Sequence, residues 1–203
     1  MSIPKVFLNA ATQRSAECEP SPKELFRSSH MLTADHELLA RSYKMAPQLK
    51  HIMTLRVNLA PPVEFGRTAY GERRFIAITG GTFDGPSIAG EILNGGGDWN
   101  AVRPDGVVHV FAKYSLRTDD GVLINITNEG WGRSNAAEMK AVFENDFVAA
   151  EKAAQDQPWY TKTCPRFEVT EGKYGWLNST CFVGDLVRPN KPGHVDIEVY
   201  QID

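Results

Sequence analysis

The chain has no long hydrophobic run, little cysteine and no surplus of basic charge. No apolar stretch approaches the ~18–20 residues that a membrane-crossing helix needs. Lys and Arg number 22 against 25 Asp and Glu, a formal charge of −3. Nothing therefore draws the chain onto phosphate backbones, and nucleic acid is excluded as its main partner. The three cysteines, Cys18, Cys164 and Cys181, contain no CxxC pair and leave an odd count. A disulfide framework and a structural zinc site are both disfavoured, and reduced thiols point to the cytosol. Met1 to Leu8, interrupted by Pro4 and Lys5, lacks the apolar core of a secretion signal, so the mature protein is expected to start here. Without secretion, the N-x-T triplets at Asn125 and Asn178 read as chance matches.

What is present is enough apolar residue for a core. The 203 residues, 42% hydrophobic and 23% charged, amount to one domain or slightly more at ~150 residues each. The pattern changes near residue 50. Before it, Ser21-Pro22-Lys23-Glu24 reads as a capping box leading into Leu25 and Phe26, and a second short helical pattern runs from Asp35 to Tyr43. Residues 1–50 are expected to be a helical extension that packs on the body or on a partner. After it the period becomes two. Leu55, Val57 and Leu59, then Val122, Ile124 and Ile126, then Val195, Ile197 and Val199 alternate with unlike neighbours. That is the pattern of antiparallel strands with two different faces. Turn clusters such as Asn94-Gly95-Gly96-Gly97 and Asp119-Asp120-Gly121 separate the runs. Eight to ten strands in ~150 residues predict a sheet that curls and closes. One helix, capped at Asn135, is predicted over 135–154 with Met139, Val142, Phe143, Phe147 and Ala150 on one face, covering a barrel end.

Several motifs reduce to ordinary structure. Gly80 and Gly85 have phosphate-loop spacing, but Pro86 stands where the lysine should be, so a nucleotide site is rejected. Ser134 is read as a helix cap, since the second glycine of a nucleophile elbow is missing. The five histidines show neither i, i+4 nor HxH spacing, which disfavours a metal site. The strand faces are more informative. Read as a strand, Trp176, Asn178, Thr180 and Phe182 share a face that mixes aromatic and hydrogen-bonding groups, as a ligand cavity does. Arg166 and Glu168 share another face, either inside a barrel as a functional pair or outside as a solvated one. Asp98, beside Trp99, is a turn residue or a general base whose pKa rises on desolvation.

Longer motifs are also present: Ile78-Thr79-Gly80-Gly81-Thr82-Phe83-Asp84-Gly85-Pro86, Gly96-Gly97-Asp98-Trp99, Val102-Arg103-Pro104-Asp105-Gly106, Leu116-Arg117-Thr118-Asp119-Asp120-Gly121, Pro165-Arg166-Phe167-Glu168 and Tyr174-Gly175-Trp176-Leu177-Asn178. Together, over residues 51–202, they resemble the DUF3237 family, also called UPF0311. The resemblance implies a mainly antiparallel β-barrel of calycin-like (AttH-like) type with a central cavity, a homodimer, and a link to secondary metabolism or aromatic degradation. It supplies no settled activity. The expected function is a cofactor-independent isomerase, cyclase or lyase in the cytosol, with no membrane partner, working by proton transfer on a small oxygenated molecule. Asp98 or Glu168 would be the base and Arg166 the anion holder. Trp99 and Trp176 would be aromatic walls, and Tyr114 and Asn178 orienting donors. The alternative is a carrier that binds a small molecule without changing it.

Overall fold

In the computed structural model, residues 46–154 and 159–203 are described. The helical patterns at 21–26 and 35–43 lie outside them. The strands are β1 (Leu49–Leu59), β2 (Val63–Thr68), β3 (Gly71–Asp84), β4 (Ala89–Ile92), β5 (Gly97–Asp98), β6 (Ala101–Val102), β7 (Val108–Thr118), β8 (Leu123–Arg133), β9 (Tyr160–Val169), β10 (Phe182–Leu186) and β11 (His194–Ile202). Alternating burial along β7 and β8 shows why they form: Val108, Val110, Ala112, Tyr114 and Leu116 turn inward, and so do Ile124, Ile126 and Asn128. The antiparallel order β1-β11-β10-β9-β8-β7-β4-β3 closes through β1–β3 pairing into an eight-strand barrel, and β2 hangs on β3 as a hairpin. Closure removes sheet edges, as the strand count predicted.

β4, β5 and β6 are pieces of one broken strand, since each in turn pairs with both β3 and β7. The break lies at Gly95 and Gly96, whose φ values of 123° and 78° suit glycine. At Gly96 a Cβ would also meet the Lys113 carbonyl oxygen at 2.1 Å.

Two short helices replace the single predicted one: α1 (Ala136–Phe143) and α2 (Phe147–Ala153). Asn145 adopts φ 59°, which ends α1, and the Asp146 side chain accepts from the Ala149 N–H to cap α2. Asn135 caps α1 as predicted and also donates to the Ala153 carbonyl, tying the pair together. Glu138, fully buried on α1, accepts from the Ser134 hydroxyl and lies 2.7 Å from Arg188 Nε of the β10–β11 loop.

The expected strand around Trp176 is a second correction. Gly175–Ser179 is a 3-10 turn, and β10 starts only at Phe182. Gly172, at φ 128°, reverses the chain, the Leu177 N–H bonds the Tyr174 carbonyl, and the buried Leu177 anchors the turn. Alternation of Trp, Asn, Thr and Phe imitated a strand here without forming one.

The core is in two parts. The larger holds Met53, Leu55, Phe83, Leu116, Ile124, Ile126 and Val199 among others; a small one holds Val108, Val110 and Met139, with Phe143 and Trp159 packed against it. At the loop end after β7, Asp120 accepts from the Thr118 hydroxyl, the Lys173 ammonium at 2.9 Å and the Tyr174 hydroxyl at 3.1 Å. These donors hold its carboxyl down to about 2. Its stabilising effect is therefore complete above about 3.8 and fades as the pH falls through about 2. Asp120→Asn should lower Tm by a few degrees at pH 7, and thermal melts should show the gap closing at acid pH; a constant gap would refute the clamp.

Candidate functional site

Between the two cores lies a cavity of about 140 Å³ lined by Asp98, Asn100, Val108, Val110, Met139, Phe143, Trp159 and Thr161 among others. Small inward residues create the room. Gly132 of β8, in register with Val108 of β7, supplies no side chain to the wall. Its walls are mainly apolar with a few polar groups, the usual character of a ligand site. A groove of about 350 Å³ adjoins it, lined by Pro61, Pro62, Phe147, Pro189 and Pro192. Leu59, Ile76, Val142, Phe143 and His194 line both spaces. His194 is engaged on both ring nitrogens, with Asp196 at 2.8 Å and Asn58 at 3.1 Å.

Asp98 is placed by the broken strand. Trp99 donates its N–H to the Phe111 carbonyl at 2.9 Å, while the Phe111 N–H turns to Asp98 Oδ1 at 2.8 Å. Asn100 donates its amide to Oδ2 at 3.1 Å. Burial pushes the Asp98 carboxyl above its ordinary range; the Phe111 and Asn100 bonds and the charges of His109 and Arg74 oppose the rise without cancelling it. Asp98 pairs with Ala112, and Ala112 with Asn128, so one row of the barrel runs across three strands. Tyr114 lies two residues from Ala112 on the same inward face, and burial, then the Asp98 charge, raises its phenol far above the ordinary value. Tyr114 thus stays a neutral donor. Tyr114 Oη, Asn100 Oδ1 and Asn128 Oδ1 are buried without a hydrogen-bond partner among the described residues. Buried polar atoms in native proteins are rarely left so.

Of the seven residues singled out from the sequence, Asp98 lines the cavity and Tyr114 lies inward beneath its row. Arg166 and Glu168 are on the outer face of β9; Arg166 is 74% exposed and 3.9 Å from Glu129, and Glu168 accepts from the Asn125 amide at 3.4 Å. The inward positions there belong to Thr161, Thr163, Pro165 and Phe167. Trp99 is outside too, against Phe75 at 5.0 Å and Phe111 at 6.5 Å. Trp176 lines a separate groove with Lys50, His51 and Pro86. Asn178 clamps the backbone of Val169, accepting from its N–H and donating to its carbonyl. The side chains of Arg166, Glu168, Trp99, Trp176 and Asn178 therefore do not line the cavity with Asp98. Sequence reasoning missed Asn100, Asn128, Thr161 and Trp159. A polar Asn128 continuing the Ile124-Ile126 face, followed by inward Gly130 and Gly132, was the available signal.

A carboxylate whose pKa is raised by folding favours the native state below its unfolded value of about 3.8 and loses that contribution as the pH rises through the raised value. Asp98→Asn removes the buried charge and keeps the acceptor for Phe111. The variant should be more stable than the parent near pH 8, by about 1 kcal/mol, as is common when a functional site is relieved. The difference should vanish on acidification below pH 4. Denaturant melts across this range check it, and a less stable variant at pH 8 would contradict the assigned burial.

Residues 47–202 match the family model described as "Protein of unknown function (DUF3237)". A UPF0311 protein of Rhodopseudomonas palustris is 31% identical over 160 residues, which cover 78% of this chain and 99% of the relative. A UPF0311 protein of Clostridium acetobutylicum is 30% identical over 154 residues, 75% of this chain and 92% of the relative. Among solved structures, a β-barrel-like protein from Acinetobacter baumannii AYE is 37% identical with a TM-score of 0.65, the match covering 77% of this chain and 96% of that one. An enzyme from Penicillium herquei, 21% identical with a TM-score of 0.56 over 77% of this chain and 95% of that one, shares the fold. Matched from its first strand to its last, the chain belongs to the DUF3237 (UPF0311) family.

Proposed function

We propose that the protein is a cofactor-independent isomerase, cyclase or lyase that moves a proton on a small, partly apolar, oxygenated molecule held in the barrel cavity. The observation that supports this reading is the Asp98 carboxylate on the cavity wall, its proton affinity raised by burial, beside Asn100, whose Oδ1 is buried without a partner among the described residues. A carboxylate whose proton affinity is raised by burial is a stronger base than an exposed one. Asp98 takes a proton from the substrate. In an isomerisation or cyclisation it returns that proton at another atom, and in an elimination the proton leaves with the departing group, so no co-reactant is consumed. The Tyr114 hydroxyl donates toward the oxygen on which negative charge develops, where a low-dielectric setting makes such a donor most effective. Asn100 and Asn128 accept from substrate hydroxyls, and Val108, Val110, Met139 and Trp159 hold its hydrocarbon part. In this reading the protein works in the cytosol as a homodimer within secondary metabolism.

A second reading, a carrier that binds without converting, is favoured by one observation: Glu168 and Arg166 face solvent, so among the described residues lining the cavity Asp98 is the single carboxylate. Incubation with a metabolite extract, followed by mass spectrometry of retained and converted species, separates the two. The enzyme reading predicts that the parent protein converts a retained compound. Asp98→Asn should still retain it but turn it over at least about 100-fold more slowly. Equal turnover by Asp98→Asn removes the proton-transfer assignment, and retention without conversion by the parent establishes the carrier.

A further inference from the structure

Arg74 is a buried charge with no role in the proton transfer above. It lies on β3 two residues before the cavity-lining Ile76 and is 8% exposed. A guanidinium so buried requires partners for its donors. Its Nε nevertheless has no hydrogen-bond partner among the described residues. Glu64, across the β2–β3 hairpin, brings Oε2 only to 3.6 Å, beyond hydrogen-bond reach. The guanidinium is covered instead by a ring: its Cζ is 3.9 Å from the centroid of Phe143, which lines both the cavity and the outer groove. Phe143 is the last residue of α1, two residues before Asn145, whose φ is 59°. A phenyl face offers a cation modest attraction and accepts no N–H bond at the fork's edge.

Resting on the reading that the cavity holds a ligand, we propose that Arg74 recognises a carboxylate on that ligand and that the Phe143 ring is a placeholder the carboxylate displaces. The planar fork of arginine matches a carboxylate with two parallel bonds, a fit that a neutral amide cannot equal. The ligand class is then an apolar monocarboxylic acid, its body along Val110, Met139 and Val142 and its reacting end toward Asp98. The opposite charges of Arg74 and Asp98 give the two ends of the site different preferences and fix the ligand's direction. Glu64 is a competitor for the same guanidinium, held back by distance.

The test compares 2-naphthoate with its neutral isostere 2-naphthamide by titration calorimetry near neutral pH. The parent protein should prefer the acid by at least about ten-fold, the scale of one charge-assisted hydrogen bond. Arg74→Met should abolish the preference while retaining the amide's affinity. Glu64→Gln, a change at an exposed side chain, should tighten the acid several-fold, a gain that misfolding cannot produce. Equal binding of acid and amide by the parent, or unchanged acid binding in Glu64→Gln, overturns the carboxylate clamp and leaves the cavity reading intact. Binding of neither compound overturns both.

Discussion

The site depends on one hydrogen bond, from the Phe111 N–H to the Asp98 carboxylate. Strand pairing would ordinarily use that N–H on a backbone carbonyl. Here the strand facing β7 is broken, and a side chain takes the bond instead. Without that donor, burial would raise the proton affinity of the carboxyl further. With it, burial and hydrogen bonding compete, and the proton affinity ends above the ordinary carboxylate value. The break in the strand, the position of Asp98 and its chemistry are thus one structural fact.

The cavity follows from a second constraint, the lack of side-chain volume on the inner rows. Gly132 adds no side chain to the cavity wall, and the large and small cores do not meet. Asp98 and Asn100 line that gap, and the partnerless Asn100 Oδ1 is found there. Filling that gap with larger side chains would unite the cores at the expense of the cavity, the usual opposition between stability and function. The helices over this end are tied down by Glu138 with Arg188 and Ser134, by Phe143 with Arg74, and by Met139 in the small core.

The barrel was legible because it rests on period-two alternation and on turn chemistry, both local. β1, β8 and β11 could be read directly from Leu55-Val57-Leu59, Val122-Ile124-Ile126 and Val195-Ile197-Val199. The helix was legible except for its break, which Asn145 makes by entering the left-handed region that asparagine tolerates. The site was legible only where a residue's face could be inferred. Asp98 and Tyr114 came out inward. Arg166 and Glu168 alternate correctly with Phe167, but alternation says which residues share a face and not which face is inside. Phe167 and Thr163 decide that by burial. Trp176 and Asn178 failed for a different reason, since a 3-10 turn can carry the same spacing as a strand. Arg74 gave no local signal at all, because its burial arises from α1 folding over it.

The most direct measurement is the titration of Asp98 itself, followed through its carboxyl carbon by 13C NMR in aspartate-labelled protein and assigned by loss of the signal in Asp98→Asn. This carboxyl is expected to take up its proton at a higher pH than the other aspartates, and its resonance to move when a compound retained by the cavity is added. Titration within the ordinary carboxylate range, with no response to such a compound, would contradict a desolvated base on the wall of a ligand site.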